Sequence, residues 1–327
     1  MKDQNILINQ CKERVGGKNL ANELADLLGI NLDAAYRRMR GVTALTFDEI
    51  KKICQHFNLS FDSIINYQGK LVPVQFNSMF HPQFKIMDYL KNMSQEIKRL
   101  SSKKDSSMIL TAMDLPFFRQ FGFPVLTHFK LFFWQRSVLN MDEFKHKKFD
   151  WTEIEDEYRE ITESIYHSYH GVNSIEIWAP ESLDSTLKQI RYFIESGLFK
   201  SKQSAYEICD DIDRLLNKLE NEAERGLKYT VVDGTKISSS FKIYQSDMFM
   251  SNNCIQAELD GKKYTYVSFN SFNSLMSFSP NFSEECFQWI EQIRLKSILL
   301  SEVSEKLRYQ FFKTLRTKLQ NLRDNIT

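Results

Sequence analysis

The chain has 327 residues, of which 42% are hydrophobic, and its 43 lysines and arginines and 42 aspartates and glutamates leave a formal net charge of +1. This length and apolar content suffice for two domains and a large core, which excludes extensive disorder, and the near-neutral charge excludes a surface that is basic throughout. The five cysteines are scattered, and no apolar run approaches the roughly 20 residues of a membrane span. We therefore expect a cytoplasmic protein with no signal peptide and no disulfide framework.

The first part of the chain, residues 1–68, is predicted to form four or five short helices around a small core. Leu24 and Leu28 give one helix its apolar face, and Gly29 can adopt the left-handed conformation that ends this helix. Either Asn31 or Asp33 can cap the helix that follows. Turn signals separate the helices at Gly16-Gly17, Gly29, Gly41 and Asn58.

The pattern Leu20–Gly41, two helices joined by a tight turn, resembles the phage-repressor (XRE-type) helix-turn-helix family, and the resemblance covers about residues 6–66. The whole chain is also similar to the long helix-turn-helix regulators common in Bacteroidetes. That second resemblance depends on apolar segments such as Asp114–Phe118, Phe129–Trp134 and Leu183–Ile190. Together the resemblances imply a transcription regulator.

The resemblance to the repressor family implies that the helix Leu32–Arg40 lies in the major groove of DNA. Arg37 can then pair with a guanine edge or a phosphate, and Tyr36 can contact a thymine methyl or a phosphate. The family normally has an aliphatic residue where this chain has Arg38, so either the helix is rotated locally or Arg38 extends past the core. The residues expected to contact DNA are Lys18, Asn31, Leu32, Asp33, Tyr36, Arg37, Arg38 and Arg40.

A linker is predicted at 69–82, where Gly69, Pro73 and Pro82 interrupt any helix. Residues 83–226 have a helical apolar period, which changes to two after Gly226. The Asp260-Gly261 pair is typical of a tight hairpin turn. Strands are expected at 227–232, 241–248, 254–259 and 263–269, and helix again at 283–326.

The expected fold is therefore mainly α with a small antiparallel sheet. An N-terminal helix-turn-helix bundle at 1–68 precedes a larger α+β domain at 83–327, which consists of helices at 83–226, a three- or four-stranded β-meander at 227–270 and a long C-terminal helix. We interpret the larger domain as serving regulation and dimerisation.

Two segments of the larger domain invite a functional interpretation. Glu163, His167 and His170 share one face of a predicted helix, which could bind a metal, although an ordinary polar face is the favoured interpretation. The aromatic segment 117–134 predicts packed core or a pocket for an apolar effector. Phosphate-loop, nucleophile-elbow and zinc-helix motifs are missing from the sequence, so we expect neither an enzyme nor a cofactor.

An apolar stripe along the last helix, within residues 290–326, either forms a dimer or packs within its own domain. The favoured function is a regulator that binds double-stranded DNA as a homodimer and responds to a small-molecule or protein effector, without a membrane partner. The alternative is an adaptor or antitoxin-like protein that acts through protein–protein contacts. The residues of the stripe stand at 300, 303, 307, 311, 315, 319, 322 and 326.

Overall fold

The structure is a computed structural model, and the chain in it divides into two compact units, Met1–Val74 and Gln75–Thr327. We describe each unit by itself. The residues that the structure describes are 2–15, 19–57, 59, 61, 72–81, 83–153, 155–248, 253–270 and 272–326.

The described part of unit 1 is helical and has its own small core. Gly29 has a φ of 65° and ends the second helix, which confirms the turn expected there. Leu7, Cys11, Leu24 and Ile53 come from three different helices and are buried together. The helices are α1 (Lys2–Val15), α2 (Leu20–Leu28), α3 (Leu32–Met39) and α4 (Phe47–His56).

Unit 2 combines eight helices with a sheet in its described residues. The helices are α5 (Ile86–Ser101), α6 (Phe117–Gln120), α7 (Pro124–Phe133), α8 (Asp156–Tyr169), α9 (Asp184–Glu195), α10 (Lys202–Arg225), α11 (Pro280–Leu295) and α12 (Glu305–Arg323), and a π-helical turn at Trp134–Val138 and a 3-10 turn at Asp142–Phe144 follow α7. The strands are β1 (Ser107–Ala112), β2 (Asn173–Trp178), β3 (Leu227–Val232), β4 (Thr235–Gln245), β5 (Cys254–Leu259), β6 (Lys262–Phe269), β7 (Asn273–Ser277) and β8 (Ile298–Leu299).

The sheet of unit 2 is mixed. Its strand order is β3-β4-β2-β1-β5-β6-β7, and β8 pairs with β4. Strand β2 lies parallel to both β1 and β4, with Ile175 opposite Ile109 and Ser174 opposite Phe241. The other pairs are antiparallel.

The expected small antiparallel sheet was therefore wrong, because the sheet has eight strands and two parallel pairs. Strands β1 and β2 lie in the stretch 83–226, for which only helices were predicted. Both are central strands buried on both faces, and such strands lack the alternation that marks a half-exposed strand. The hairpin at Asp260-Gly261 is confirmed, since these two residues join β5 to β6 with positive φ values. The single helix expected at 283–326 is divided into α11 and α12 by β8.

The two faces of the sheet bury different cores. Met108 and Leu110 of β1 point into the larger core with α5, α7, α8, α9, α10 and α12. Ile109, between them in the sequence, points to the opposite face and packs in a smaller core with Ile290 and Ile293 of α11. The sheet is therefore a middle layer with helices on both sides.

The beginning of unit 2 is attached to the last strand of the sheet. Gln75 exchanges two backbone hydrogen bonds with Met276 of β7, of 2.7 and 2.8 Å. The side chain of Asn273 donates a 2.7 Å hydrogen bond to the carbonyl of Asn77, and Met79 is buried in the larger core. This part of the predicted linker 69–82 is therefore fixed on unit 2, and residues 69–71 and 82 lie outside the described part.

We expect Gly226→Ala to destabilise unit 2 more than Gly197→Ala. Both glycines have a positive φ, 63° and 61°, which costs another residue about 1–2 kcal/mol. A Cβ at Gly226 would also lie 2.7 Å from the side chain of Glu302, whereas a Cβ at Gly197 would have no atom within 4 Å. Urea unfolding followed by tryptophan fluorescence measures this, because all four tryptophans lie in unit 2. An equal loss of unfolding free energy in the two variants would contradict the expectation.

Candidate nucleic-acid interface

Helix α3 has one buried side and one exposed side. Ala35 is fully buried against the core of unit 1, and Met39 packs on the same core. Leu32 and Tyr36 are 42% and 40% exposed, although both are large and apolar or aromatic. We call the exposed residues of this helix and its cap the α3 outer face: Asn31, Leu32, Asp33, Tyr36, Arg37 and Arg40.

The start of α3 is held by Asn31, which was one of the two expected caps. Its side-chain oxygen accepts a 2.8 Å hydrogen bond from the backbone N–H of Ala34. This bond satisfies an N–H that the first turn of a helix leaves without a partner. Lys18, which was also expected to contact DNA, lies outside the described residues.

Arg38 is separated from the α3 outer face by an ion pair with α4. Its guanidinium lies 2.8 Å from the carboxylate of Glu49, and the two side chains are only 17% and 16% exposed. Burial alone would raise the pKa of Glu49, but the hydrogen bond from Arg38 and the backbone bond at Thr46 lower it. Arg38 therefore joins α3 to α4 and does not share the surface of Arg37.

The loop between α3 and α4 is fixed from both sides. The side chain of Gln4 on α1 donates to the carbonyls of Arg38 and Thr43 at 2.8 and 2.9 Å, and it accepts a 3.1 Å bond from the N–H of Leu45. Thr46 and Glu49 form a reciprocal capping box at the start of α4. These bonds hold the end of α3 in a defined position.

The α3 outer face carries the chemistry of a DNA contact. Arg37 and Arg40 place two exposed arginines at its C-terminal end, and Asp33 in the first turn is the single carboxylate of the face. Guanidinium groups bind phosphate and the edge of guanine in a forked geometry. Residues 1–70 carry ten basic and eight acidic residues, a net +2, so the arrangement of the arginines matters more than the total charge.

The three residues considered for a metal site on α8 do not converge. Glu163 and His167 line an open surface cavity of about 800 Å³, together with Asp233 of the β3–β4 turn. His170 is instead fully buried, 3.3 Å from Glu222, so it does not belong to the polar face to which the sequence assigned it. Within the described ranges, no group of three or more His, Cys, Asp or Glu could hold a metal ion.

The aromatic segment 117–134 packs as core. The ring of Phe129 lies 5.2 Å from that of Phe193 and 5.6 Å from that of Phe149, each nearly edge-on. Trp134 stacks on Phe272 with ring centroids 4.2 Å apart. These contacts fill the space between α7, α9 and the sheet, so packing accounts for the density of aromatic residues.

Most of the apolar stripe of the last helix is also internal. Phe311, Leu315, Leu319 and Leu322 of α12 are buried in the larger core of unit 2, where α12 packs against α10 and α9. These four side chains are therefore covered by their own unit, whereas two residues near the start of the stripe are 88% and 41% exposed, Val303 and Leu307.

Sequence reasoning missed a buried cluster of ionisable and aromatic groups, which we call the Arg119 cluster: Arg119, Tyr169, Glu176, Glu222 and Lys228. Arg119 on α6 pairs with Glu176 of β2 at 2.8 Å and with Glu222 of α10. The side-chain nitrogen of Lys228 lies 3.4 Å from the centre of the Tyr169 ring. The signal was a charged residue inside an apolar run, as at Glu176 in Ile175–Trp178.

Burial and pairing oppose each other in the Arg119 cluster. Burial alone would raise the pKa of Glu222, but the guanidinium of Arg119 and further donors lower it to about 2. Burial and the positive charge of Arg119 together hold the pKa of Lys228 well below its ordinary value. The structure thus stabilises Arg119 and Glu222 as ions in a place without solvent.

The comparisons with known proteins give one match. Residues 7–104 match the family model of the BetR domain, which spans less than one third of the chain. No curated protein and no solved structure matches the chain significantly. The match suggests a regulatory or DNA-binding role.

The match corrects the family expected from the sequence. The phage-repressor (XRE-type) family and its long Bacteroidetes form were wrong, because the model that matches is that of the BetR domain. The matched region also extends beyond residue 66 to include α5 of unit 2. The repressor resemblance depended on the pattern Leu20–Gly41 and on the apolar positions that follow it. In the part of the chain that the structure describes, no helix is long and apolar enough to cross a membrane.

We expect Glu222→Gln to lower the free energy of unfolding of unit 2 by about 3–5 kcal/mol, because it leaves Arg119 buried with one carboxylate fewer. The matched control is Glu220→Gln on the same helix, whose carboxylate is 25% exposed and pairs with Arg316. The control should lose less than about 1 kcal/mol. Urea unfolding followed by tryptophan fluorescence measures both, and a loss in Glu222→Gln no larger than in the control would contradict the expectation.

The difference in stability between wild type and Glu222→Gln should depend on pH. Glu222 has a pKa of about 2 when folded and an ordinary pKa of 4.5 when unfolded, so the unfolded chain takes up the proton first as the pH falls. The stabilisation by Glu222 is therefore complete above pH 4.5 and is lost as the pH falls towards 2. The difference in stability between wild type and Glu222→Gln should narrow over this range. A difference that stays constant would contradict the low pKa.

Proposed function

We propose that the protein is a sequence-specific DNA-binding transcription regulator that inserts the α3 outer face into the major groove. The observation that carries this proposal is that α3 has two different sides. One side buries Ala35 and pairs Arg38 with Glu49, and the other leaves Arg37 and Arg40 exposed. The BetR domain match supports a regulatory role. The proposal assigns no catalytic step to the chain and places the protein in the cytoplasm.

Each exposed side chain has a distinct role in this proposal. In this proposal Arg37, in the last turn of α3, contacts a base edge, and Tyr36 beside it contacts a thymine methyl. Arg40 stands at the C-terminal end, where a phosphate contact positions the helix without reading sequence. Since one helix covers about half of a usual operator, we propose that the protein acts as a homodimer, with unit 2 providing self-association and the response to an effector.

Selection of bound duplexes from a random pool by the purified chain tests the proposal. We expect a recurrent sequence whose affinity falls steeply with salt concentration, because phosphate contacts release counterions. An absence of salt-sensitive binding to any duplex would sink the proposal. Fluorescence anisotropy on the selected duplex then allows the variants to be compared.

On the selected duplex, Arg37→Ala should weaken binding by about 1–3 kcal/mol and relax the sequence preference at one position. Arg40→Ala should weaken binding to all duplexes similarly and lower the salt slope by about 1. The matched control is Arg191→Ala, an exposed arginine of α9 in unit 2, which should bind as wild type does. If Arg37→Ala and Arg191→Ala bind equally well, the α3 outer face is not the reading surface.

A second candidate function is that of an adaptor that binds a protein through the same region. It is favoured by the apolar side chains exposed around α3, since Val42 is 66% and Phe47 is 71% exposed, and Leu32 and Tyr36 lie on the helix itself. An adaptor would fail the duplex selection and would co-purify with a stoichiometric partner. Loss of that partner in Phe47→Ser, with Arg37→Ala unaffected, would favour the adaptor.

A further inference from the structure

Two cysteines of unit 2 lie on elements that pack against each other. Cys254 begins β5 and is 3% exposed, and Cys286 lies on α11 and is partly exposed. Both are free thiols. They are 32 positions apart in sequence, so the fold alone brings them together.

The register of β5 and α11 shows why these cysteines meet. Gln256 on β5 donates hydrogen bonds to the carbonyl of Ser283 on α11 and to Thr265 of β6. Cys254 is two residues before Gln256 and therefore points to the same face of the sheet. Cys286 is three residues after Ser283 and therefore lies on the same side of the helix.

The surroundings agree with this placement. Cys254 is part of the smaller core together with Ile290, one turn after Cys286 on α11, and Cys286 packs against that core. The backbone N–H of Cys254 donates a 2.9 Å hydrogen bond to Thr111 of β1, which fixes the start of β5. Both side chains therefore contribute to the same small core.

The two thiols differ in reactivity. The hydrogen bond from Cys254 lowers the pKa of Cys286, against the opposing effects of burial and of Glu285. The same hydrogen bond, together with burial, raises the pKa of Cys254. Burial raises the pKa of the thiols of Cys209 and Cys11 as well, to about 11 and about 12. Cys286 is thus the thiol of the five best suited to ionise and react.

We propose that Cys254 and Cys286 form a peroxide-sensitive oxidation site that closes into an intramolecular disulfide. The inference is independent of DNA binding, because every group involved belongs to β5 and α11. In a reducing compartment such a bond is transient, which suits a sensor and not a structural staple.

The reaction proceeds in two balanced steps. The Cys286 thiolate attacks one oxygen of hydrogen peroxide, forming a sulfenic acid and releasing hydroxide as the O–O bond breaks. The Cys254 sulfur then attacks the Cys286 sulfur, so that the S–S bond forms and the sulfenic oxygen leaves as water with the Cys254 proton. In sum, two thiols and one peroxide give one disulfide and two waters, and a dithiol reductant reverses the change.

The test is peroxide titration of the full-length protein, followed by thiol counting and peptide mapping. Oxidised wild type should lose two of its five titratable thiols. It should also run as a single chain, without a disulfide between chains, on denaturing non-reducing electrophoresis. Tryptic cleavage should release residues 243–262 and 264–294 as one linked pair, because each of these peptides holds one cysteine. Dithiothreitol should separate the pair and restore five thiols.

Variants identify the roles of the two sulfurs. Cys286→Ser should abolish the linked pair and keep the remaining four thiols, whereas Cys254→Ala should leave a sulfenic acid on Cys286 that dimedone traps. Cys209→Ala, in the larger core, is the matched control and should form the linked pair as wild type does. Failure of peroxide to link the two peptides in folded wild type would overturn the proposal, and so would a loss of thiols from Cys286→Ser at the peroxide concentration that links wild type.

Discussion

The buried guanidinium of Arg119 connects the sheet of unit 2 to its helices. Arg119 pairs with a carboxylate on the central strand β2 and with another on α10, the longest helix, and it lies 4.4 Å from the ring of Phe241 on β4. An isolated ion in such a place would cost many kcal/mol, so the folded core requires both carboxylates beside Arg119. Sheet and helices are thereby held in one specific arrangement, which apolar packing alone would define less strictly.

The periodic parts of the fold could be predicted from the sequence, and the central strands could not. Gly29 and Gly226 marked helix ends correctly, and Asp260-Gly261 marked a hairpin, because each reports a local backbone requirement. Strands β1 and β2 carry apolar residues towards both faces, and a short apolar run fits a buried helix as well as a buried strand. Their parallel pairing depends on helices that cross between them, which no local pattern records.

In the candidate site, too, locally determined features could be predicted and features that depend on distant contacts could not. The resemblance stated from the sequence implied that Tyr36, Arg37 and Arg40 face outward, and the structure leaves all three exposed. The position of Arg38 stayed open between two alternatives, because the deciding contact is with Glu49, which belongs to another helix. The Arg119 cluster was out of reach for the same reason, since Arg119 and Glu222 are 103 positions apart.

The attachment of Gln75 to β7 has a consequence for self-association. Strand β7 ends the sheet, and the outer edge of a sheet presents free N–H and C=O groups to which strands of other molecules can add. The two backbone bonds between Gln75 and Met276 occupy one such pair, and Asn77 beside them accepts a bond from Asn273. The segment that begins unit 2 thus covers part of the β7 edge, which limits the addition of strands from other molecules there.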